Sequence, residues 1–466
     1  MTTATLKVTS PYNGELIETL PYHTAKDVEH FLTAAHALTR SAPLKVSERE
    51  GILKKAIERF RQDRDAFALM IAREGGKPLT DALVEVDRGI QGIENAIEVM
   101  KSHAGSEIPM GRTPSSAHRL AFTTREPIGV VVAISAFNHP FNLIVHQVIP
   151  AVATGCPVIV KPAGATPLSC RNLIQTLHDC GLPKDWCQIA ILPSALAESL
   201  VTDPRVAFFS IIGSSRIGWM LRSKLAPGTR CALEHGGVAP VIIEADADLE
   251  RLIPPLAKGG YYHAGQVCVS VQRVFVHSSH FDTVAEAFQQ RVSRLKVGDP
   301  TLKETEVGPL IQTTEVDRVA GWVEEARASG AQVVIGGSKL SDTLYAPTLL
   351  LNPSHEAKIS TQEVFGPVVS LYSYDDVNEA VTRANSLDVA FQAAVFTQSI
   401  DKAFGIAQKL AASTVMINDH TAFRVDWMPF AGRRSSGLGT GGIPYTMEDM
   451  TQEKLLVFHS PEIQNG

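Results

Sequence analysis

Three times between residues 129 and 222 a short β-branched run enters a turn and then a segment of helical spacing. The runs are Gly129-Val130-Val131-Val132-Ala133-Ile134-Ser135, Cys156-Pro157-Val158-Ile159-Val160 and Val206-Ala207-Phe208-Phe209-Ser210-Ile211-Ile212. Continuous apolar runs of this kind suit strands buried on both faces of a parallel sheet. Their alternation with helical segments, such as Pro167 to Cys180, predicts an α/β fold with a doubly wound sheet. No other feature restricts the architecture as much.

The flanking segments fill in the frame. Residues 11–21 read as a hairpin around Asn13-Gly14. Ala25–Leu38 and Ser47–Arg73 carry helical periodicity, the second opened by a Ser47/Glu50 capping box. Gly75-Gly76-Lys77-Pro78 stops that helix, and another runs through about Met100. Residues 118–126 read as an extended strand. Beyond residue 240 the expected strands are 241–243, 274–276, 332–335 and 393–396, with helices 280–295, 321–329, 377–385 and 402–410. Residues 415–442 are too glycine-rich for core and read as an ordered loop shaping a pocket. The last segment, 453–459, reads as a strand with nothing left nearby to pair it, so it is expected to join another subunit.

At 466 residues the chain exceeds one core, and two or three domains are expected. A net charge of −6 argues against a nucleic-acid protein. No apolar run is long enough to span a bilayer, and the first residues do not resemble a secretory leader, so a cytoplasmic protein is expected. The six cysteines form no C-x-x-C pair, which points away from zinc and from dithiol chemistry.

Each candidate chemical residue has an ordinary structural reading beside its functional one. Cys268 lies in Gly265-Gln266-Val267-Cys268-Val269-Ser270, and a lone cysteine in an apolar run is usually a core filler. Asn138 follows the first β-branched run, where open α/β sheets place ligand sites; Asn there is also a common turn former. Lys161 ends the second run and suits either a ribose or solvent. The third run feeds Gly213-Ser214-Ser215-Arg216-Ile217-Gly218, a glycine turn whose N–H groups suit a pyrophosphate. It is not the G-x-G-x-x-G fingerprint. Glu234 precedes Gly236-Gly237, which reads as a hinge between domains.

In order along the chain, Asn138, Lys161, the 213–218 turn, Glu234-His235-Gly236-Gly237, Gly265-Gln266-Val267-Cys268, Glu363-Val364-Phe365-Gly366-Pro367 and Pro429-Phe430-Ala431-Gly432 together resemble the aldehyde dehydrogenase superfamily. The likeness covers nearly the whole chain and is nearest the succinate-semialdehyde and lactaldehyde dehydrogenase branch. The resemblance implies a Rossmann-like cofactor domain (1–111 and 129–235), an α/β catalytic domain (236–433) and a small β oligomerisation extension (112–128 and 446–466). It implies a homodimer or homotetramer. It further implies that Cys268 attacks the aldehyde, that Asn138 and the Cys268 N–H hold the oxyanion, and that Glu234 activates water. Lys161, Gly213, Ser214, Glu363 and Phe365, with Ser135, Phe137 and Ala163, would hold NAD or NADP. No metal is implied.

Departures sharpen the expectation. Relatives often carry Leu where this chain has His235. NAD-preferring relatives often carry Glu where it has Gly164, so NADP is expected to serve at least as readily as in those enzymes. The substrate tunnel would be lined by His139, Leu143, His146, Tyr262, Val267, Val269, Arg424, Trp427 and Phe430. Succinate-semialdehyde relatives place Arg where His146 stands, so the expectation is a medium-sized aliphatic or aromatic aldehyde; the alternative is a small carboxylated aldehyde met by Arg424. Acylating relatives that use coenzyme A lack a carboxylate at the position of Glu234. A non-catalytic descendant would have no chemical need for Cys268, Glu234, Asn138 and Glu363 together.

Overall fold

In a computed structural model that describes residues 4–41 and 43–464, the three β-branched runs form the centre of a six-stranded sheet. Its order is Gly437–Leu438, Arg230–Glu234, Val206–Ile212, Val130–Ile134, Val158–Lys161 and Cys187–Ile189. All pairings are parallel except that of Gly437–Leu438 with Leu233 and Glu234. The chain leaves Val130–Ile134 toward one edge and returns to its other side as Val206–Ile212. That reversal opens a crevice beyond the carboxyl ends of these two strands. Ser135–Asn138 and Gly213–Ser215 lie at that edge.

Helix Asn142–Thr154 is buried along its whole length; its polar residues Asn142, His146 and Gln147 are each hydrogen-bonded there. It packs with Val46–Gln62, Leu79–Ser102 and the strand residues Val131, Val158 and Val160 in one core. A second sheet of seven strands runs in the order Gln332–Ile335, Thr348–Leu351, Val368–Tyr374, Arg273–His277, Pro240–Ile243, Gln392–Phe396 and Thr414–Ile417. Helices Leu249–Tyr261, Phe281–Val292 and Thr313–Ala328 cover one face in a separate core.

Several details differ from the sequence reading. The helical stretch 47–73 is two helices, Val46–Gln62 and Arg64–Gly75, broken at Asp63. Its cap lies two residues earlier than Ser47/Glu50: the Lys45 N–H donates to Glu48 Oε2 at 2.9 Å. The helix placed at 321–329 begins at Thr313. Residues 415–442 include short strands at Arg433–Arg434 and Gly437–Leu438. The terminal strand Thr451–His459 does find a partner within the chain. It pairs antiparallel with Arg119–Pro127, from Thr451 opposite Pro127 to His459 opposite Arg119. Its outer edge stays unpaired among the described residues. No helix among the described residues is long and apolar enough to cross a membrane.

Candidate active site

Cys268 sits on a loop that little else could occupy. His263, Ala264 and Gly265 have φ of 47°, 55° and 69° in succession, a left-handed path costing on the order of 1–3 kcal/mol at each non-glycine residue. A side chain at Gly265 would come within 2.1 Å of the Gly366 carbonyl oxygen, so only glycine fits. The loop is then pinned. Gln266 donates to Pro309 O at 3.2 Å and accepts from Ile311 N at 2.9 Å. Thr421 donates to Val269 O at 2.6 Å, and Gly237 N donates to Cys268 O at 3.2 Å. Asn138, buried across the crevice, donates through Nδ2 to Gln266 O at 2.9 Å. Its amide is thereby fixed two residues before the thiol.

The thiol lies among Val267, Val269, Phe391, Phe430, Tyr262 and Ala422. Burial pushes it up to about 12; Glu363 and Glu234 add to this, while Arg424 opposes. The thiol is therefore held protonated at neutral pH. Glu234 ends its strand with its carboxylate against Gly441, where a Cβ would lie 2.0 Å from Oε1. Burial raises its pKa against the opposing charge of Arg424, which makes its carboxylate a better base near neutrality. Gly236, read as a hinge residue, has a more specific use: a Cβ there would lie 1.7 Å from Glu363 Oε1. Burial lifts Glu363 to about 8.

On the crevice side, Ser135 Oγ and Glu363 Oε1 are buried with no partner among the described residues. Phe137 and Phe365 meet edge to face at 5.8 Å, and Phe365 has φ of 47°. Among the described residues Lys161 donates only to the neighbouring Pro162 carbonyl, at 3.2 Å; burial lowers its pKa. Ala163 follows it in the loop before helix Pro167–Asp179. Gly213 and Ser214 sit between Val206–Ile212 and helix Ser215–Arg222.

On the opposite side, Asp426 gathers a buried cluster. Its Oδ1 accepts from Arg88 Nη2 at 2.7 Å, His146 Nε2 at 2.7 Å and Asn142 Nδ2 at 3.1 Å. Burial favours its protonation, but the His146 hydrogen bond and the charges of Arg88 and Arg424 hold it well below the carboxylate range. Burial, then the Arg424 charge, lower His146 to about 4. The neutral ring thus donates from Nε2 to Asp426 and accepts at Nδ1 from Arg424 Nη2 at 3.4 Å. His146 braces Arg424 and takes no charge of its own. Arg424 lies over the Phe430 ring at 3.5 Å, and its Nε has no hydrogen-bond partner among the described residues. Arg424 thus stands between two carboxylates, Glu234 on the thiol side and Asp426 behind it.

The model of the aldehyde dehydrogenase family matches residues 1–456. The chain belongs to the aldehyde dehydrogenase family. This aldehyde dehydrogenase is 34% identical over 455 residues to the 3-sulfolactaldehyde dehydrogenase of Priestia aryabhattai, covering 97% of this chain and 95% of the relative. Among solved structures it resembles aldehyde dehydrogenase 21 of Physcomitrella patens in complex with the reaction product succinate. The TM-score is 0.95 at 34% identity, over 99% of this chain and 96% of that one. It also resembles glyceraldehyde-3-phosphate dehydrogenase GapN of Methanocaldococcus jannaschii complexed with NADP. Here the TM-score is 0.94 at 32% identity, over 99% of this chain and all (100%) of that one. The aldehyde dehydrogenase fold follows, and the enzyme is an oxidoreductase acting on aldehydes.

The residues singled out in the sequence fall into two groups. Cys268, Glu234, Asn138, Glu363, Phe365, Ser135 and Phe137 converge at the crevice. His139, Tyr262, His146, Arg424 and Phe430 line up beyond the thiol, with His139 Nε2 at 3.2 Å from the Tyr262 hydroxyl. Val267 and Val269 flank it, and Leu143 is buried on the helix of His146. Trp427 stands half exposed. Sequence reading missed Arg88, Asp426 and Phe391. Arg88 and Asp426 lie 338 residues apart, so no local pattern joins them; the one available signal was Arg424-Val425-Asp426 within an otherwise apolar loop. Among the described residues no group of His, Cys, Asp or Glu could hold a metal ion.

Proposed function

We propose that this enzyme oxidises an aldehyde to its acid through a covalent Cys268 thioester. The single observation that carries the reading is the convergence of Cys268, Glu234 and Asn138, three residues far apart in sequence, on one pinned loop. Cys268 reacts as its thiolate, the thiol proton passing to solvent; the sulfur adds to the aldehyde carbon, and the resulting oxyanion is met by Asn138 Nδ2 and the Cys268 N–H, donors worth about 3–4 kcal/mol in comparable sites. NAD or NADP, held in the crevice, would supply the hydride acceptor for oxidation of this adduct to the thioester. Glu234 then takes a proton from water, the oxygen attacks the thioester carbon, and the acid leaves as the thiol is restored.

The crevice suits a dinucleotide. Ser135 Oγ and Glu363 Oε1 offer unused buried polar atoms, the Gly213-Ser214 turn opens a helix, and Lys161 and Ala163 stand at the neighbouring strand end. Among the described residues a Cβ on Gly164 would touch only Leu6 Cδ1, at 3.8 Å. No carboxylate there repels a 2′-phosphate, so kcat/KM for NADP is comparable to that for NAD. A thousandfold preference for NAD would contradict this.

The buried Arg424 guanidinium, whose Nε has no hydrogen-bond partner among the described residues, favours a small aldehyde with an anionic far end. The succinate bound to a relative with 34% identity fits the same chemistry. The apolar wall of Val267, Val269, Phe391 and Phe430 favours the second reading, a medium-sized aliphatic or aromatic aldehyde. A panel of both classes, followed by formation of reduced cofactor with NAD and NADP in parallel, separates them. Acid formed without coenzyme A supports hydrolysis at Glu234. No reduced cofactor with any aldehyde would overturn the proposal.

The assembly we infer is a cytoplasmic homodimer or dimer of dimers. Its support is the unpaired edge of Thr451–His459, where Leu455, Val457 and Phe458 are exposed. The domains would divide as 1–111 with 129–235, 236–433, and 112–128 with 446–466.

A further inference from the structure

His235 stands between Glu234 and Gly236, yet its ring faces away from the thiol. Nδ1 lies 2.8 Å from the Gly213 carbonyl oxygen. A carbonyl only accepts, so Nδ1 carries the proton. The Gly213 N–H in turn donates to Glu234 O at 3.0 Å. Gly213 is thus gripped on both sides by consecutive residues of one strand end. The ring is also seated in a matched hollow. A Cβ on Gly218 would lie 2.2 Å from His235 Cε1 and 2.5 Å from Nε2, so helix Ser215–Arg222 meets the imidazole at the glycine.

The backbone on the other side is tied as firmly. His235 N donates to Ser436 O at 2.9 Å. The adjacent Ser435 carbonyl accepts from Ser215 Oγ and Trp219 Nε1, each at 3.0 Å. A leucine at 235 would fill part of the hollow but offer Gly213 no donor.

We propose that His235 is a positioning residue for the cofactor: its Nδ1–H fixes the Gly213 turn to the strand end that carries Glu234. It touches neither substrate nor thiol. It sets where the turn's N–H groups stand, and so how well the turn binds a diphosphate. The inference rests on the proposed reading of residues 213–218 as the cofactor turn.

The test combines H235L, H235N and S214E. Asn places its Nδ2 close to where His places Nδ1, so H235N keeps the donor and loses most of the ring. Reduced cofactor is titrated into each protein by intrinsic fluorescence or calorimetry, and steady-state kinetics are run with the cofactor varied. H235L weakens cofactor binding and raises cofactor KM by about tenfold, the reach of one hydrogen bond of ordinary net strength, with kcat within about twofold. H235N recovers most of the loss, and hydrogen exchange in the peptide spanning 213–218 is faster in H235L alone. S214E, which puts a carboxylate in the turn, abolishes binding. Wild-type affinity in H235L, equal weakening in H235L and H235N, or a fall in kcat at unchanged KM each overturns the role given to His235. Normal cofactor binding in S214E overturns instead the reading of the turn.

Discussion

Lys77 and Glu85, buried between the early helices, have their charges fully employed. Glu85 Oε2 pairs with Lys77, and Oε1 accepts from Phe141 N at 2.9 Å and Asn142 N at 3.1 Å. Nearby, the fully buried Glu74 accepts from Leu168 N and Ser169 N, both at 2.8 Å. Around Cys268 burial is comparable but the pairing is not. Glu363 Oε1, Ser135 Oγ and Arg424 Nε have no hydrogen-bond partner among the described residues. Buried polar atoms are ordinarily satisfied, and strongly perturbed, unpaired ones collect at functional sites. The first region spends its charges anchoring the start of helix Asn142–Thr154. The second leaves them open toward ligands.

The comparison sets the order of expected effects. Cys268→Ala abolishes formation of reduced cofactor, a loss on the order of 10⁴-fold or more, with the melting temperature unchanged. Equal loss of stability would place the thiol with the scaffold. Glu85→Ala does the reverse: it leaves a buried lysine and two helix N–H groups unpaired and costs about 3–5 kcal/mol by denaturant unfolding. A cost below 1 kcal/mol would show that this pair does not anchor the helix.

Arg424→Gln lowers kcat/KM for a carboxylated aldehyde by about 10- to 100-fold, the range of a hydrogen bond to a charged group. Turnover of an uncharged aldehyde changes much less. Equal losses for both classes would move Arg424 from recognition to structure.

The smallest effect is in the thiol's titration. Alkylation of Cys268 in the free enzyme is slow at neutral pH and rises toward a midpoint near about 12. Glu363→Gln removes a charge that disfavours the thiolate and shifts the midpoint down. Arg424→Gln removes one that favours it and shifts the midpoint up. A midpoint at an ordinary cysteine value would show that burial does not hold the thiol.

What was legible in the sequence follows the same division. The strands of the six-stranded sheet are buried on both faces, so their β-branched runs stand out. Helix Ala25–Leu38 matches its periodicity to the residue. Helix Leu249–Tyr261 went unread because Pro254 and Pro255 sit inside it. The break at Asp63 was hidden because apolar periodicity continues across it. At the site, Cys268, Asn138, Glu234 and Glu363 each end a strand or mark a loop of unusual composition, but local pattern alone gives each an ordinary structural reading, and only the resemblance to the family gives them chemical roles. Arg88 was not, because on helix Leu79–Ser102 it looks like any solvated arginine until Asp426 folds against it. His235 gained a role only when Gly213 and Gly218 were seen against its ring.

The central claim is a thioester on Cys268 that Glu234 resolves, and Glu234→Gln tests it most directly. The variant is mixed with NAD or NADP and an aldehyde that the intact enzyme turns over, quenched within one turnover, and measured by intact-mass and peptide mass spectrometry. The account predicts one equivalent of reduced cofactor and one acyl group, on Cys268 alone. Undiminished steady turnover with no adduct, or an acyl group on another residue, would contradict it.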